Sequence, residues 1–234
     1  MSSALPLAQV IIHHRSGKGC VAQNGLFCAD WALHNLDRYT APAEQHVVLV
    51  ASSVAIGFVV AFVLALLSHR RRWLQEPLIG ITGVLYTVPS LAFFFLLLPI
   101  TGFGKDTAII ALSAYTLQII YRNILAGLAN VPRGVKDAAR GMGLTEGQLL
   151  WRIELPLAVP EIIAGLRIAT VSTVAIATLA VFAGGGGLGA PIYQQIDFKT
   201  NIIIAAAFVI GMALVFDTIL LAVQYMTTPW RRSV

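Results

Sequence analysis

Five apolar runs, each long enough to cross a hydrocarbon layer as a helix, constrain this 234-residue chain more than any other feature. A bilayer core of about 30 Å takes roughly 20 helical residues, and inside it every backbone polar group must find its partner within protein. Residues 47–67, 78–100 and 107–125 meet that length, the third with Arg122 near enough to its end to snorkel. Residues 160–183 and 201–224 complete the set and hold Arg167 and Asp217 well inside them. The expected architecture is an all-α integral membrane protein with five transmembrane helices. At 57% hydrophobic and 12% charged residues, with mean hydropathy +0.79, a soluble globular domain is excluded.

Basic residues set the orientation, because cytoplasmic loops collect Lys and Arg. Arg70, Arg71 and Arg72 follow the first run; Arg122, Arg133, Lys136, Arg140 and Arg152 lie between the third and fourth; Arg231 and Arg232 end the chain. All fall on one side of a five-span path, whereas the other side's connecting loops offer only Lys105 and Lys199. The N-terminus is therefore expected outside and the C-terminus inside. The net charge of +5 reflects this asymmetry and anionic membrane lipid, and no nucleic-acid partner is expected.

The chain divides into an extracytoplasmic segment at 1–46, a transmembrane domain at 47–226 with a long loop at 126–159, and a cytoplasmic tail at 227–234. Residues 5–12 are too short, and their basic charge lies on the wrong side, for a secretory signal. Leu26, Trp31, Leu33 and Leu36 fit an amphipathic helix on the outer interface, while residues 1–25 read equally as a loosely ordered tail. Cys20 and Cys28 both fall outside; a disulfide and two free thiols are equally compatible with that. With His13, His14 and His34 they match no metal-ligand spacing, so no metal is expected.

The loop at 126–159 is too long to be a mere connector. Asp137-Ala138-Ala139-Arg140 suits the first turn of a helix, with the acid at the positive dipole end, and Gly141 and Gly143 stop it. Thr145-Glu146-Gly147-Gln148 is a capping box, so a second short helix should start at Glu146 and end before Pro156. Leu149, Leu150 and Ile153 give that helix an apolar edge from which Arg152 and Glu154 fall away. Such an elbow fits the groove of a partner protein, or equally packs on the membrane surface.

These residues resemble the Glu-Ala-Ala loop of ABC importer permeases: an acid and two alanines, three residues, Gly, nine residues, Ile, one residue, Leu-Pro. Asp137, Ala138, Ala139, Gly143, Ile153, Leu155 and Pro156 match every spacing, with Asp137 in place of Glu. Further likeness, over roughly 46–224, runs through Thr87-Val88-Pro89-Ser90-Leu91-Ala92, Ala164-Gly165-Leu166-Arg167 and Gly186-Gly187-Leu188-Gly189. These windows are similar to the osmoprotectant branch, whose permeases carry glycine betaine, carnitine, choline and proline betaine; methionine permeases share the architecture. After Gly189 the chain has Ala190-Pro191 where the branch has an acid.

The resemblance implies that the loop docks on a cytoplasmic ABC ATPase, which holds ATP and magnesium. It also implies a second permease protomer, identical or paralogous, an extracytoplasmic solute-binding protein, and a place in the prokaryotic cytoplasmic (inner) membrane. The chain itself is expected to bind no cofactor and catalyse no covalent step. It has no G-x-x-x-x-G-K-[ST] loop, and Gly184 to Gly189 satisfies G-x-G-x-x-G without the strand that a dinucleotide site needs. His46, at the mouth of the first span, reads as an interfacial anchor.

Ionisable groups within a span cost about 2.5–3.5 kcal/mol on insertion scales and mark functional positions. Arg167 lies seven residues after Pro160, and Asp217 seven before Gln224. At 1.5 Å per residue both are about 10 Å from the same face of the membrane, so an intramembrane ion pair is expected. The alternative is a snorkelling Arg167 and an Asp217 facing a watery cavity. Tyr86, Pro89 and Ser90, with Thr82, Tyr115, Gln118, Thr170 and Thr173, form the polar stripes of a candidate translocation path. Tyrosine faces suit a quaternary ammonium, whose charge makes no hydrogen bonds, although small and hydroxyl residues also pack membrane helices. The solute, the identity of the second protomer and any osmotic regulation are open at this level.

Overall fold

The computed structural model describes residues 19–229. Residues 5–12, His13, His14, Arg231 and Arg232 lie outside them. Ten α-helices appear among the described residues: α1 (Ala29–His34), α2 (Thr40–Ser68), α3 (Arg72–Thr87), α4 (Ser90–Thr101), α5 (Lys105–Ala129), α6 (Arg133–Gly141), α7 (Glu146–Leu149), α8 (Leu155–Ala177), α9 (Gly189–Gln194) and α10 (Lys199–Thr227). A 3₁₀ turn, Leu36–Tyr39, leads into α2, a π-turn, Leu150–Glu154, joins α7 to α8, and a 3₁₀ turn, Thr178–Ala183, extends α8.

α5 is the central rod, packed against α2, α3, α4 and α8. One apolar cluster, with Leu49, Phe94, Leu112 and Val174, fills one half of the bundle. A second, with Ala65, Tyr121, Ile124, Leu128 and Ala158, fills the other. Small residues let the rods approach closely, as lipid-embedded helices require. A Cβ at Gly57 of α2 would sit 1.7 Å from Thr116 Oγ1 of α5.

Among the described residues four helical stretches are long and apolar enough to cross a membrane: Leu36–Ser68, Lys105–Ala129, Glu146–Ala183 and Lys199–Thr227. The expected span at 78–100 is instead a bent pair, Trp73–Thr87 and Ser90–Thr101, that turns through 99° and makes the fifth if counted as one. Pro89 causes the break, because it has no N–H and holds Val88 extended at ψ 128°. The Tyr115 hydroxyl donates to the freed Val88 carbonyl.

Three other boundaries differ from expectation. α2 begins at Thr40, ahead of the expected start of the first span at 47. The helical stretch that holds the fourth span begins at Glu146, well ahead of 160, so within the loop at 126–159 α6 and its two flanking turns stand apart from it. Pro156 does not end the second short helix. It sits in the first turn of α8, where its missing N–H costs nothing, and the π-turn before it bonds Leu155 N–H to the Leu150 carbonyl.

Cys20 and Cys28 are joined in a disulfide that closes a loop carrying Asn24. The Asn24 side chain donates to the Asp197 carbonyl at 2.6 Å and accepts from Lys199 N–H at 3.2 Å, tying this segment to the start of α10. Cys28 N–H donates to Thr200 Oγ1 at 2.9 Å, and Trp31 stands edge-on to Phe198 at 4.7 Å. Leu26, Leu33 and Leu36 remain exposed.

His46 is fully buried and corrects the reading of an interfacial anchor. Its Nδ1 accepts from Leu188 N–H at 3.2 Å and its Nε2 meets the Val174 carbonyl at 3.0 Å, which fixes a neutral ring with the proton on Nε2. The glycine-rich turn at 184–187 is thereby pinned to α2 and α8 of the same chain, with Gly187 N–H also donating to Gln45 Oε1 at 3.3 Å.

Arg167 of α8 and Asp217 of α10 form a fork-to-fork pair, Nε to Oδ1 and Nη2 to Oδ2 both at 2.8 Å. Gln224 extends it, accepting from Arg167 at 3.5 Å and donating to the Pro160 carbonyl at 3.2 Å. This ladder holds the α8-facing side of α10, the least buried of the four long stretches. Exchanging the charges, Arg167→Asp with Asp217→Arg, should regain the folded yield that each single change loses; size-exclusion profiles in detergent check this, and no regain would exclude direct pairing. Gly57→Leu should cost about 1–3 kcal/mol by overpacking, or more if α2 cannot shift, read as a lowered thermal unfolding midpoint with Gly57→Ala intermediate.

Candidate functional site

At one end of the bundle α6, the Met142–Thr145 turn and α7 form an elbow. α6 begins after Pro132, whose fixed φ suits a helix start, so Asp137 lies in the second turn and not the first. Its carboxylate faces Arg140 three residues on, at 3.2 Å. A Schellman cap ends α6: Leu144 N–H bonds the Ala139 carbonyl at 3.2 Å and Gly143 N–H the Arg140 carbonyl at 2.9 Å. Gly143 takes the left-handed conformation this cap demands, φ +82°. The capping box then opens α7, with Gln148 N–H to Thr145 Oγ1 at 3.3 Å and Thr145 N–H to Gln148 Oε1 at 2.9 Å.

The second arm does not present the apolar edge expected of it. Leu149 is fully buried, and Glu154, expected to face away, is 3% exposed. The π-turn explains the difference. Five residues of regular α-helix would carry Glu154 about 140° round from Leu149, whereas an i→i+5 turn brings it back beneath that residue. What the elbow does expose is Val135, Met142 and Trp151, with Asp137 and Ala138 beside them. Ala139 and Leu155 face inward, Ile153 and Pro156 are half-buried, and Gly143 lies open at the corner.

Two carboxylates tie the elbow to the transmembrane bundle. Glu146 receives Arg70 at 2.6 Å and Arg140 at 2.9 Å, and Arg70 also donates to the Glu146 carbonyl at 2.6 Å. The bond from Glu146 and then its charge raise Arg140 above the ordinary guanidinium value. All three side chains are open to water, so this bridge is screened and weak. Glu154 is different. Its Oε2 meets His69 Nε2 at 2.9 Å and its Oε1 meets Lys136 Nζ at 3.0 Å, with side-chain exposures of 13% for His69 and 17% for Lys136. Lys136 also donates to the Leu128 carbonyl at 3.1 Å. Removing one partner from a buried set of this kind costs about 3–5 kcal/mol.

Sequence reasoning missed this cluster. Its members sit in three separate segments, and only the 2.9 and 3.0 Å contacts across the π-turn bring them together. The available signal was an acid next to Leu155-Pro156 that the apolar periodicity left without a partner.

The candidate path residues fall into two groups. Thr82 donates to Gln118, Tyr86 stands 5.9 Å from Tyr115, and Phe93 is edge-on to Tyr115 at 5.7 Å, all beside the break at Pro89 and Ser90. Tyr115 itself is 5% exposed, while Tyr86 is open. Thr170 and Thr173 belong elsewhere: each hydroxyl bonds a carbonyl of its own helix, Leu166 and Ala169, and both are buried on α8. Arg167 and Asp217 line a groove of about 610 Å³ between α8 and α10, whose other walls are apolar save for Ser172.

Comparison with known proteins places this geometry. The family described as binding-protein-dependent transport system inner membrane component matches residues 53–233. A carnitine transport permease protein of Listeria monocytogenes is 36% identical over 187 residues, covering 79% of this chain and 86% of the relative. An osmoprotectant import permease protein of Salmonella typhimurium is 35% identical over 206 residues, covering 85% and 96%. A choline transport system permease protein of Bacillus subtilis is 34% identical over 187 residues, covering 79% and 86%. The inward-facing methionine ABC transporter MetNI shares the fold, with TM-score 0.69 at 20% identity over 83% of this chain and 95% of that one. An amino acid ABC transporter does likewise, with TM-score 0.71 at 19% identity over 84% and 97%. The chain therefore belongs to the binding-protein-dependent transport system inner membrane component family and is a transmembrane permease subunit of an ABC importer.

Proposed function

We propose that this permease forms the translocation path for a quaternary-ammonium osmoprotectant such as glycine betaine, carnitine or choline, and that it catalyses no step itself. The elbow is the observation that carries the coupling role: a helix–turn–helix capped on both sides of its corner, exposing Val135, Met142 and Trp151 and bound to the bundle through Glu146 and Glu154. Asp137, Ala138 and Gly143 lie exposed on its outer arm and corner, where an ATPase groove would receive them, with Ala139 packed beneath. The basic residues Arg70, Arg133, Lys136, Arg140 and Arg152 cluster at this end, and the disulfide-closed segment and the glycine turn lie at the other. That distribution supports an orientation with the elbow in the cytoplasm and the N-terminus outside.

The substrate class rests on the three named relatives, each more than 30% identical, against fold likeness alone for the methionine system. The open Tyr86 beside Tyr115 and Phe93 offers aromatic faces of the kind a quaternary ammonium prefers. One bundle of this size does not enclose a pore. Grooves of about 610 Å³ flank α10 on both sides, and the ion pair in one of them needs cover from lipid, so a second protomer, identical or paralogous, closes the path. Two ATPase subunits, which bind ATP and magnesium, grip the two elbows, and their closure swings the bundles between inward and outward access. An extracytoplasmic binding protein delivers the solute.

ATP-dependent uptake of radiolabelled betaine, carnitine, choline and methionine by proteoliposomes holding the complex tests this reading. Uptake of the three quaternary ammonium compounds without methionine is expected; methionine uptake alone, or uptake driven by an ion gradient without ATP, would overturn it. Gly143→Asp, forced into a left-handed backbone that costs about 1–2 kcal/mol, should leave ATP hydrolysis measurable and depress uptake more strongly. A parallel assay of phosphate release and solute uptake reads that split.

A further inference from the structure

We infer that Glu154 is the joint through which the elbow moves the elbow-side end of α2, a positioning residue of the transport cycle that rests on the reading of the elbow as the motor contact. Its carboxylate is 3% exposed, and each oxygen is committed to a different element. Oε2 is held at 2.9 Å by His69, the residue that caps the C-terminus of α2. Oε1 is held at 3.0 Å by Lys136 of α6, which also donates to Leu128 near the end of α5. Glu154 itself closes the π-turn that opens into α8. One side chain thus joins α2, α5, α6 and α8 where the elbow meets the bundle.

The other ionic link at this end is Glu146 with Arg70 and Arg140. It is water-exposed and therefore compliant under load, and its arm attaches to α6 through Arg140 alone. No covalent or helical continuity binds α6 to α2, because residues 69–132 intervene. A displacement of α6 by the motor reaches α8 along the chain, through α7 and the π-turn. It reaches α2 most directly through Glu154, beside the apolar packing of α5 and α8 on that helix. The π-turn is the device that makes this geometry available: in an uninterrupted α-helix the carboxylate would rotate away from the buried face of Leu149. A widened turn of this kind is also a soft point, able to reseat the side chain as the helix above it swings.

Glu154→Gln keeps the shape and loses the charge that Lys136 and His69 share. In proteoliposomes carrying the ATPase and the binding protein, it should lower the solute moved per ATP hydrolysed by about tenfold, within the range of ordinary coupling free energies, while assembly with the ATPase persists. Lys136→Met should do the same, and the double variant should be no worse than either single. An unchanged ratio of transport to hydrolysis in Glu154→Gln would overturn the inference, as would additive losses in the double variant.

A second measurement stands apart from the solute. Spin labels at Leu67→Cys on α2 and Arg133→Cys on α6, both exposed positions, should give one narrow intraprotomer distance that ATP and vanadate leave unchanged. In the Glu154→Gln background that distance should broaden or shift with nucleotide. A nucleotide-dependent change in the otherwise native protein would show that α2 and α6 move independently and refute the joint. Wild-type complex that takes up none of the tested solutes would sink the substrate reading and leave the distance measurement to decide the joint.

Discussion

A single buried carboxylate, Glu154, bonds α6 to the end of α2 at the entrance to α8. The surrounding elements are individually slight. α6 spans nine residues and α7 four, too short to hold their shape in water without tertiary support. Their order comes from a Schellman cap at one side of the corner, a capping box at the other, and the buried contacts of Glu154 with His69 and Lys136 beneath. An elbow built this way is stiff within itself and has one firm point of attachment, which is what a lever requires.

The same economy of polar groups runs through the bundle. In a hydrocarbon surround an unpaired dipole is costly, so each polar side chain between the rods is placed against a backbone or side-chain partner. His46 spends both ring nitrogens on Leu188 and Val174 and so locks the glycine turn to two long helices. Ser68 meets Tyr121 at 2.8 Å, and Thr82 meets Gln118. Arg167, Asp217 and Gln224 form the ladder that keeps α10 on α8 where packing alone is sparse. Opposite the elbow, the disulfide loop places Asn24 so that it completes the start of α10.

Much of this was legible in the amino-acid sequence because the membrane enforces simple rules. Length and hydropathy located the long helices, and Thr145 to Gln148 and Gly143 marked the corner of the elbow. The matched depths of Arg167 and Asp217 anticipated two groups that the structure brings within 2.8 Å. What stayed hidden depended on one local irregularity. A π-turn has no composition signature, and its extra residue reversed the facing of Glu154, let α8 run through Pro156 and joined α7 to the helical stretch of the fourth span. His46 was misread for a related reason: its partners, at 174 and 188, become neighbours only after the fourth helix packs. The scattered threonines on α8 satisfied their own helix, which periodicity cannot distinguish from lining a path.

The account stands on the exposed corner of the elbow meeting a nucleotide-hydrolysing neighbour. A photo-cross-linking side chain placed at Met142, which is 71% exposed, in the assembled complex in native membranes tests this directly. The predicted product joins this chain to the ATPase subunit, with a yield that changes on adding ATP. A product joining it to the extracytoplasmic binding protein, or only to lipid, would contradict the account.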